Sequence, residues 1–488
     1  MRGNCCVKYV VAGFSPRSVG NERGLKPATT FALFLFCFLS FSTSLAAQPH
    51  TVEVTLEAKT SRVTISPGHE LEAWTYNGDI PGPVIRAQVG DRLIVHFKNS
   101  LPQPTTVHWH GIRLPFAMDG VPGHSQPEVP PGSTFTYDFI LPDAGLFWYH
   151  PHVMSALQVG YGLYGALIVE DPNDGVGVSD EKVLVLSDIA LEDDGSLMSP
   201  AGAGIAAKVF GLEGNHLLVN GREQLRLDAR AGVPQRWRIV NAAKSRYFEL
   251  QLGDEKEGMQ FTVIGGDGGL QEYPTEHETL VVAPGERMDA IVTPRGKPGS
   301  EIVVTDLVYD RGYGSGYEGT HDILTIALAD SPPDLTPVHT NARRSIEALN
   351  PAGATDIQMD VTLVQIDQKN IEYRINNVPS EKNQPLPAAI GETQIWTIKN
   401  ETDWSHPFHL HGFFFQVLGD DGQPVHPLAW KDTVDVPFKK TVRLIVRWDD
   451  RPGAAGMWMF HCHILDHAEG GLMGMVQLGP HHRHSDEN

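Results

Sequence analysis

Cysteine is scarce in this chain. Only four of the 488 residues are cysteine, and Cys5, Cys6 and Cys37 all lie within the first forty positions. Cys462 is therefore alone in the long remainder of the sequence. A disulfide needs two thiols, so this remainder is predicted to fold without an intramolecular bridge, and a framework of several disulfides is excluded.

Positive charge is in short supply as well. The chain has 38 Lys and Arg residues against 59 Asp and Glu residues, a formal net charge of −21 at pH 7. This balance argues against nucleic acid or an anionic membrane surface as a partner. It is compatible with a secreted or periplasmic protein that handles small molecules or cations, and the length is enough for about three domains.

A long apolar run is missing everywhere except near the start. Residues 31–46 read FALFLFCFLSFSTSLA, follow basic residues such as Arg23 and Lys26, and end in small residues. A basic segment, a short apolar core and small residues are typical of a secretory signal, and the run is too short to span a membrane comfortably. We therefore predict a signal peptide over residues 1–47, a secreted or periplasmic location, and no membrane span in the rest of the chain.

The rest of the sequence contains many short runs in which apolar and polar residues alternate. Residues 51–56 and 92–97 alternate with a period of two, and clusters such as Pro81-Gly82-Pro83 separate such runs. Many short strands with turn signals between them indicate β-sandwiches or barrels. We therefore predict an all-β fold.

One ten-residue pattern, a glycine followed by an apolar alternation and an asparagine, occurs three times. The copies are GDRLIVHFKN, GVPQRWRIVN and GETQIWTIKN, at residues 90–99, 232–241 and 391–400. The first and third copies are followed at the same distance by His-x-His pairs, and the middle copy by two leucines. The pairs are His108/His110 and His409/His411, and the leucines are Leu250 and Leu252. Such repeats predict three related domains, of which the middle one lacks metal ligands.

The repeats also set the expected domain boundaries. We predict domains at residues 48–172, 173–335 and 355–479, and a histidine-rich tail at 480–488. The tail contains HHRH, a pattern that can bind metal, but we expect it to be a disordered chain end.

Four short motifs hold ten of the 22 histidines. They are HWH at 108–110, HPH at 150–152, HPFHLH at 406–411, and HCH at 461–463 followed by His467. One His-x-His pair is weak evidence, because a histidine is more often a surface residue or a hydrogen-bonded core residue. Four motifs at matching positions of two repeats are strong evidence for metal ligation.

Cys462 stands between two of these histidines. A thiolate with two imidazoles and a weak axial group is the ligand set of a blue-copper electron-transfer site. Alternate residues of a strand point to opposite faces, so His461 and His463 are predicted to face away from Cys462 and to bind other metal ions. The alternative is a buried free cysteine beside unrelated histidines.

With these motifs in place, the sequence resembles the multicopper oxidase family, which includes laccases and bacterial copper-efflux and spore-coat oxidases. The resemblance covers about residues 50–478 and implies three cupredoxin-like Greek-key β-sandwich domains and four copper ions. By this resemblance a type 1 copper would be held by His406, Cys462 and His467, and a type 2 copper by His108 and His409. One type 3 copper would take His110, His150 and His463, and the other His152, His411 and His461.

The axial position and two acidic positions near the ligands can also be matched to the family pattern. The axial position of the type 1 copper falls on Leu472, where many bacterial relatives have methionine, so we interpret the site as three-coordinate. Met473 follows directly and should point away unless a bulge intervenes. Asp119 matches a family acid that relays protons to the trinuclear cluster, and its alternative is an ordinary turn aspartate. Some relatives have a relay glutamate directly after the last histidine, whereas here Ala468 is followed by Glu469.

The resemblance implies an oxidase that takes one electron at a time from a reducing substrate at the edge of His406 or His467. Cys462 would pass the electron through His461 and His463 to the trinuclear cluster, where dioxygen is reduced to water. Phenolic or similar small reductants are favoured, because no methionine-rich insert typical of cuprous oxidases occurs. The alternatives are an oxidase of cuprous, ferrous or manganous ions and a copper-binding protein of this fold without activity. Since one chain holds all three domains, we expect a monomer.

Replacing Cys462 with serine tests the assignment. The copper-loaded protein should be blue from thiolate-to-Cu(II) charge transfer. Cys462→Ser should abolish both the colour and substrate oxidation, because hard oxygen suits this copper poorly. Visible absorption and circular dichroism would be compared between the two proteins, and the fold should not change. A variant that is still blue and active would refute the assignment.

Overall fold

A computed structural model describes residues 49–200, 203–254, 258–312, 319–333, 342–367 and 370–479. Within these residues the chain forms 29 strands and three short α-helices, and the predicted all-β fold is confirmed. The predicted signal peptide and tail lie outside the described residues. None of the described helices is long and apolar enough to cross a membrane.

The first sandwich contains eight strands, one helix and a 3-10 turn at Phe116–Met118. The elements are β1 (Thr51–Ser66), β2 (His69–Tyr76), β3 (Ile85–Gln88), β4 (Arg92–Asn99), β5 (His108–His110), β6 (Thr134–Ile140), β7 (Gly145–His150), α1 (Ser155–Gly160) and β8 (Gly165–Glu170). Two sheets result, with strand orders β2-β1-β4-β6 and β3-β8-β7-β5. Along β4, Leu93, Val95 and Phe97 are buried while Arg92 and His96 are exposed, as a period of two requires.

The second sandwich is larger. Its elements are β9 (Asp180–Ile189), α2 (Gly204–Phe210), β10 (His216–Val219), β11 (Leu225–Ala229), β12 (Gln235–Asn241), β13 (Phe248–Leu252), β14 (Phe261–Gly266), β15 (Gly269–His277), β16 (Thr279–Val282), β17 (Arg287–Val292), β18 (Glu301–Leu307) and β19 (His321–Leu328). The strand orders are β10-β9-β12-β17-β14-β15 and β11-β19-β18-β13-β16. Leu250 and Leu252, at the positions where the outer repeats have histidines, are packed in the core of this sandwich.

The third sandwich repeats the arrangement of the first, with a 3-10 turn at Ser380–Lys382. Its elements are β20 (Thr355–Gln365), β21 (Ile371–Ile375), β22 (Leu386–Ala389), β23 (Thr393–Asn400), β24 (His406–Leu410), β25 (Phe415–Leu418), β26 (Thr433–Val436), β27 (Thr441–Arg447), β28 (Gly456–Cys462), α3 (Leu465–Glu469) and β29 (Met473–Gly479). The strand orders are β21-β20-β23-β27-β25 and β22-β29-β28-β24-β26. One continuous apolar core contains residues of both the first and the third sandwich, whereas most of the second has a core of its own.

The three copies of the sequence repeat occupy equivalent strands. Each of β4, β12 and β23 pairs in parallel with the first strand of its sandwich and antiparallel with a later one. The final asparagine of each copy is buried, and its amide group donates to a backbone carbonyl in the loop that follows and to the carbonyl of a valine farther along the chain, Val129, Val282 or Val436. In each copy its side-chain oxygen also accepts the N–H two residues on. The repeated asparagine thus fixes the loop that leads to the next strand, which carries the histidines in the outer sandwiches.

Candidate metal centres

Strand pairing brings the predicted histidines side by side. Where β5 pairs with β7, His108 lies opposite His150. Where β24 pairs with β28, His409 lies opposite His461. Because directly opposite residues of antiparallel strands are close neighbours, each outer sandwich presents adjacent histidines at the end of a sheet.

Eight histidines from the first and third sandwiches meet in what we call the histidine cluster. The rings of His108 and His411 stack with centroids 3.9 Å apart, and those of His110 and His409 with centroids 3.7 Å apart. The ring of His463 is 5.0 Å from that of His110. The members are His108, His110, His150, His152, His409, His411, His461 and His463.

Most of these rings use one nitrogen to bind an oxygen outside the cluster. The Nδ1–H of His461 donates to the carbonyl of Cys462 at 2.8 Å, and the Nδ1–H of His108 donates to the carbonyl of Asp119 at 2.8 Å. His150 and His409 donate to backbone carbonyls in the same way. The remaining nitrogens are buried and have no hydrogen-bond partner among the described residues: Nε2 of His108, His150, His152 and His409, Nδ1 of His110, and both nitrogens of His463.

In the rings whose outer nitrogen donates to an oxygen, the proton is on that nitrogen and the inner nitrogen carries a lone pair. Burial lowers the pKa of His461 to about 3, and burial together with the neighbouring imidazoles puts the pKa of His411 well below its usual value. Both rings use Nδ1 as a donor, yet their Nε2 atoms are only 3.1 Å apart. Two lone pairs facing each other at this distance repel unless a cation lies between them. The cluster therefore fits metal ions, which neutral imidazoles bind through such lone pairs.

Asp119 lies between two rings of the cluster. Its carbonyl accepts from His108, and its carboxylate accepts from His411 Nδ1 at 3.0 Å. The residue is buried, unlike an exposed turn aspartate. Gly120 allows this approach: its φ is +81°, and a Cβ there would be 2.0 Å from the carbonyl oxygen of Val107.

A second group of potential ligands surrounds Cys462. Its Sγ atom is 3.5 Å from His406 Nδ1 and 3.7 Å from His467 Nδ1, and the two nitrogens are 3.1 Å apart. All three residues are buried. Burial raises the pKa of the Cys462 thiol well above its usual value. A thiolate at this position therefore requires a cation beside it, and metal binding would release the proton.

Hydrogen bonds orient both rings at Cys462. The Nε2–H of His406 donates to the hydroxyl of Thr402 at 2.8 Å, and that hydroxyl donates to the side chain of Asn400, the final asparagine of the third repeat, at 2.7 Å. The Nε2–H of His467 donates to the carbonyl of Val209, on α2 of the second sandwich, at 3.2 Å. Each Nδ1 is thereby left with a lone pair directed at the sulfur.

Leu472 is buried on a small apolar cavity of about 20 Å³ beside Cys462 and His406. Such a volume holds little more than one water-sized sphere. Met473 is not among the residues that line this cavity, and it pairs with His461 across β28 and β29. Met359 on β20 does line it, and sequence reasoning did not single out that residue.

The geometry groups the predicted ligands in overlapping sets. In each set the ligand atoms lie within 4.8 Å of one another. The sets include His406/Cys462/His467, His152/His411/His461, His108/His110/His150 and His108/His409/His411.

Glu469, which stands one residue after the position of the relay glutamate in some relatives, has a structural contact. Its carboxylate accepts the backbone N–H of Ala156 on α1 at 2.9 Å.

Asp432, which the sequence analysis missed, supports the cluster from the other side. Its carboxylate accepts from His110 Nε2 at 3.1 Å, and its carbonyl accepts from His409 Nδ1 at 2.9 Å. Arg287, from β17 of the second sandwich, donates to both carboxylate oxygens of Asp432, with 2.7 Å to Oδ1. Although burial opposes ionisation, Arg287 holds the pKa of Asp432 well below its usual range. This carboxylate is thus an anion that selects the Nε2–H tautomer of His110.

The second sandwich reaches the cluster at further points. Arg287 is fully buried, and its N–H groups also bind the carbonyls of Leu146 and Asp267. A Cβ on Gly285, whose φ is +87°, would be 2.8 Å from the ring of His463. These residues belong to no motif and are distant in sequence from every histidine motif. Arg287 begins β17, whose sequence RMDAIV also contains Asp289, so the sequence offered no distinct signal for its role.

Comparison with known proteins agrees with this geometry. Three family models described as multicopper oxidase match residues 57–174, 180–306 and 351–482. The multicopper oxidase MmcO of Mycobacterium tuberculosis is 32% identical over 467 residues, covering 88% of each chain. Laccase-2 of Cryptococcus neoformans is 27% identical over 88% of this chain and 85% of its own. The solved multicopper oxidase of Campylobacter jejuni, described as a metallo-oxidase, is 27% identical with a TM-score of 0.77, covering 88% of this chain and 92% of its own.

The chain belongs to the multicopper oxidase family. It is a copper-dependent oxidoreductase, and the predicted family, fold class and enzyme class are confirmed. Enzymes of this family use dioxygen together with a reductant or a metal-ion substrate.

If His406, Cys462 and His467 hold a copper ion, Leu472→Met should lower its reduction potential. A thioether near the metal stabilises Cu(II), whereas leucine donates nothing and excludes water. A fall of about 60 mV in this one-electron potential would correspond to ~1.4 kcal/mol. Redox titration measures it, with Met473→Leu as the matched control that should leave the potential unchanged. A potential that responds only to position 473 would contradict the leucine assignment.

Proposed function

We propose that this protein is a laccase-like multicopper oxidase, which couples one-electron oxidation of phenolic or similar small reductants to the four-electron reduction of dioxygen to water. The observation that carries this proposal is the sequence of β28 and the turn after it. Cys462 belongs to one candidate centre, while His461 and His463, its direct neighbours in the chain, belong to the other. The two centres are thus joined by a few covalent bonds.

Four copper ions are assigned to these residues. We place a type 1 copper at His406, Cys462 and His467, and a type 2 copper at His108 and His409. We place two type 3 coppers at His110, His150 and His463 and at His152, His411 and His461. When bound, these coppers supply one-electron acceptance from the reductant and the reduction of dioxygen.

The surroundings of His406 and His467 favour a neutral donor over a metal cation. Their outer ring nitrogens bind a hydroxyl and a backbone carbonyl, so no carboxylate accepts from either ring. Burial lowers the pKa of His406, and the nearby positive charge of Arg311 lowers it further. Arg311 is itself paired with Glu213 at 2.7 Å, so the preference for a neutral donor rests on the uncharged partners of the two rings.

Aromatic side chains cover the same site. Tyr373 lies against the ring of His467, with centroids 4.5 Å apart, and its hydroxyl accepts from Trp404 Nε1 at 2.9 Å. Phe210 on α2 packs edge-on against Trp404 at 5.5 Å. Tyr373 and Trp404 are buried, so of these rings only the half-buried Phe210 can contact an aromatic reductant.

Asp119 is placed to hold and transfer protons. Water formation consumes four protons for each dioxygen, and the histidine cluster is buried. The carboxylate of Asp119 contacts His411, and one of its oxygens is buried without a hydrogen-bond partner among the described residues. That oxygen lies 3.3 Å from His108 Nδ1, so the carboxyl group is placed against two rings of the cluster and can deliver protons to this interior.

Proposals for the oligomeric state, location and domain bounds of the whole protein follow from its repeats and its N-terminal sequence. We propose a monomer, because histidines from the first and third sandwiches of a single chain complete the cluster. We also propose secretion or periplasmic export directed by residues 1–47, and domains at 48–172, 173–335 and 355–479. Light scattering and N-terminal sequencing of the mature protein test the first two.

Parallel steady-state assays test the substrate class. The purified, copper-loaded protein would be given a methoxyphenol and, separately, Cu(I), with dioxygen consumption as the common measure. We expect a higher kcat/KM with the methoxyphenol, because the outer nitrogens of His406 and His467 bind uncharged oxygens and no carboxylate that would attract a cation. A clear preference for Cu(I) would instead identify a metal-ion oxidase. Copper binding without dioxygen consumption from either donor would identify a protein without enzyme activity.

Asp119→Asn separates proton transfer from hydrogen bonding. The amide oxygen of asparagine can still accept from His411, but the side chain cannot carry a proton. If Asp119 delivers protons, turnover should fall by about 10²-fold. The blue absorption should be unchanged, because Asp119 binds His108 and His411 and neither of these belongs to the His406/Cys462/His467 set. Single-turnover mixing with dioxygen measures the step. Reoxidation at the wild-type rate would limit Asp119 to a structural role.

A further inference from the structure

Three potential metal ligands lie together outside the copper centres. His69 is the first residue of β2, His216 is the first residue of β10, and Glu223 lies in the turn before β11. Their ligand atoms are within 4.8 Å of one another. The two rings are 5.0 Å apart at an angle of 79°, and His216 Nδ1 is 2.7 Å from Glu223 Oε1.

The three residues are held at the junction of the first and second sandwiches. Apolar residues of β1, β2, β9 and β10, among them Ile65, Leu71 and Leu218, form one buried cluster across this junction. The backbone N–H of Glu223 donates to the carbonyl of Ile65 at 2.9 Å. The three ligands are therefore positioned by packed backbone rather than by mobile loops alone.

The donor set suits a divalent transition-metal ion. Imidazole nitrogens with a carboxylate oxygen bind zinc and Cu(II), and three protein ligands leave a position for water. The side chains of His216 and Glu223 are 22% and 27% exposed, so an ion and its water can enter. Ligand atoms of a tetrahedral zinc site are ~3.3 Å apart, so binding would replace the proton shared by His216 and Glu223 and move the two atoms slightly apart.

We propose that His69, His216 and Glu223 form a surface site for one divalent transition-metal ion, Zn²⁺ or Cu²⁺, which links the first sandwich to the second. His69 comes from the first sandwich, and the other two ligands come from the second. An ion bound there stabilises the native arrangement of the two sandwiches, because the unfolded chain does not hold the three ligands together. The site is independent of the oxidase reaction.

Zinc titration of the copper-loaded protein tests the proposal, since Zn²⁺ is colourless and leaves the copper spectra readable. His481, His482 and His484 would be replaced by alanine in every protein compared, so that the tail does not compete. Isothermal titration calorimetry should show one Zn²⁺ per chain in this parent. The variants His69→Ala, His216→Ala and Glu223→Gln should each bind zinc about 10- to 100-fold more weakly. Removing a residue that only supports a metal ligand already causes a loss of this size, so removing a ligand should cost no less.

His96→Ala is the matched control. His96 also pairs with a carboxylate, that of Glu53, but lies outside the three-residue site, so its loss should leave zinc affinity unchanged. Copper content, measured in parallel, should stay constant during the titration. Zinc should raise the melting temperature of the parent and of His96→Ala but not of His216→Ala. Failure of the parent to bind zinc, or equal affinity in His216→Ala, would overturn the proposal whether or not the oxidase assignment holds.

Discussion

The structure depends on one constraint, which is that an imidazole has only two nitrogens. In the histidine cluster the outer nitrogen of most rings is taken by an oxygen of the protein, and the inner nitrogen of most of these rings has no hydrogen-bond partner among the described residues. Each such buried polar atom costs about 1–3 kcal/mol when nothing binds it. The Nε2 atoms of His411 and His461 are only 3.1 Å apart, so the repulsion between their lone pairs adds to this cost. A metal ion that binds these lone pairs would therefore stabilise this interior.

The second sandwich shows how a repeat that has no predicted ligands still serves the site. Its Arg287 neutralises and orients Asp432, which in turn sets the tautomer of His110, and its Val209 carbonyl orients His467. A buried arginine without its carboxylate would be an uncompensated charge, so Arg287 and Asp432 depend on each other. The middle unit thus fixes which nitrogen of His110 and of His467 faces the other candidate ligands, although its own equivalent positions are leucines.

The sequence predicted what is periodic and local. The three repeats predicted three sandwiches, and the histidine motifs predicted which residues meet, because strand pairing places His108 beside His150 and His409 beside His461. The supports of these rings could not be predicted. Arg287 and Asp432 are 145 residues apart and belong to no motif, so only the packing of one sandwich on another brings them together.

The contact between His110 and Asp432 spans 322 residues of the chain. A closure of this length is among the last to form, because loop entropy opposes it until the intervening sandwiches have folded. The first sandwich on its own holds only half of the cluster, with open lone pairs and no opposing rings. Assembly of the histidine cluster therefore comes late: the polypeptide must be synthesised as far as His463, and its sandwiches docked, before all eight rings meet. Any metal delivered earlier would meet a partial site with different geometry and selectivity.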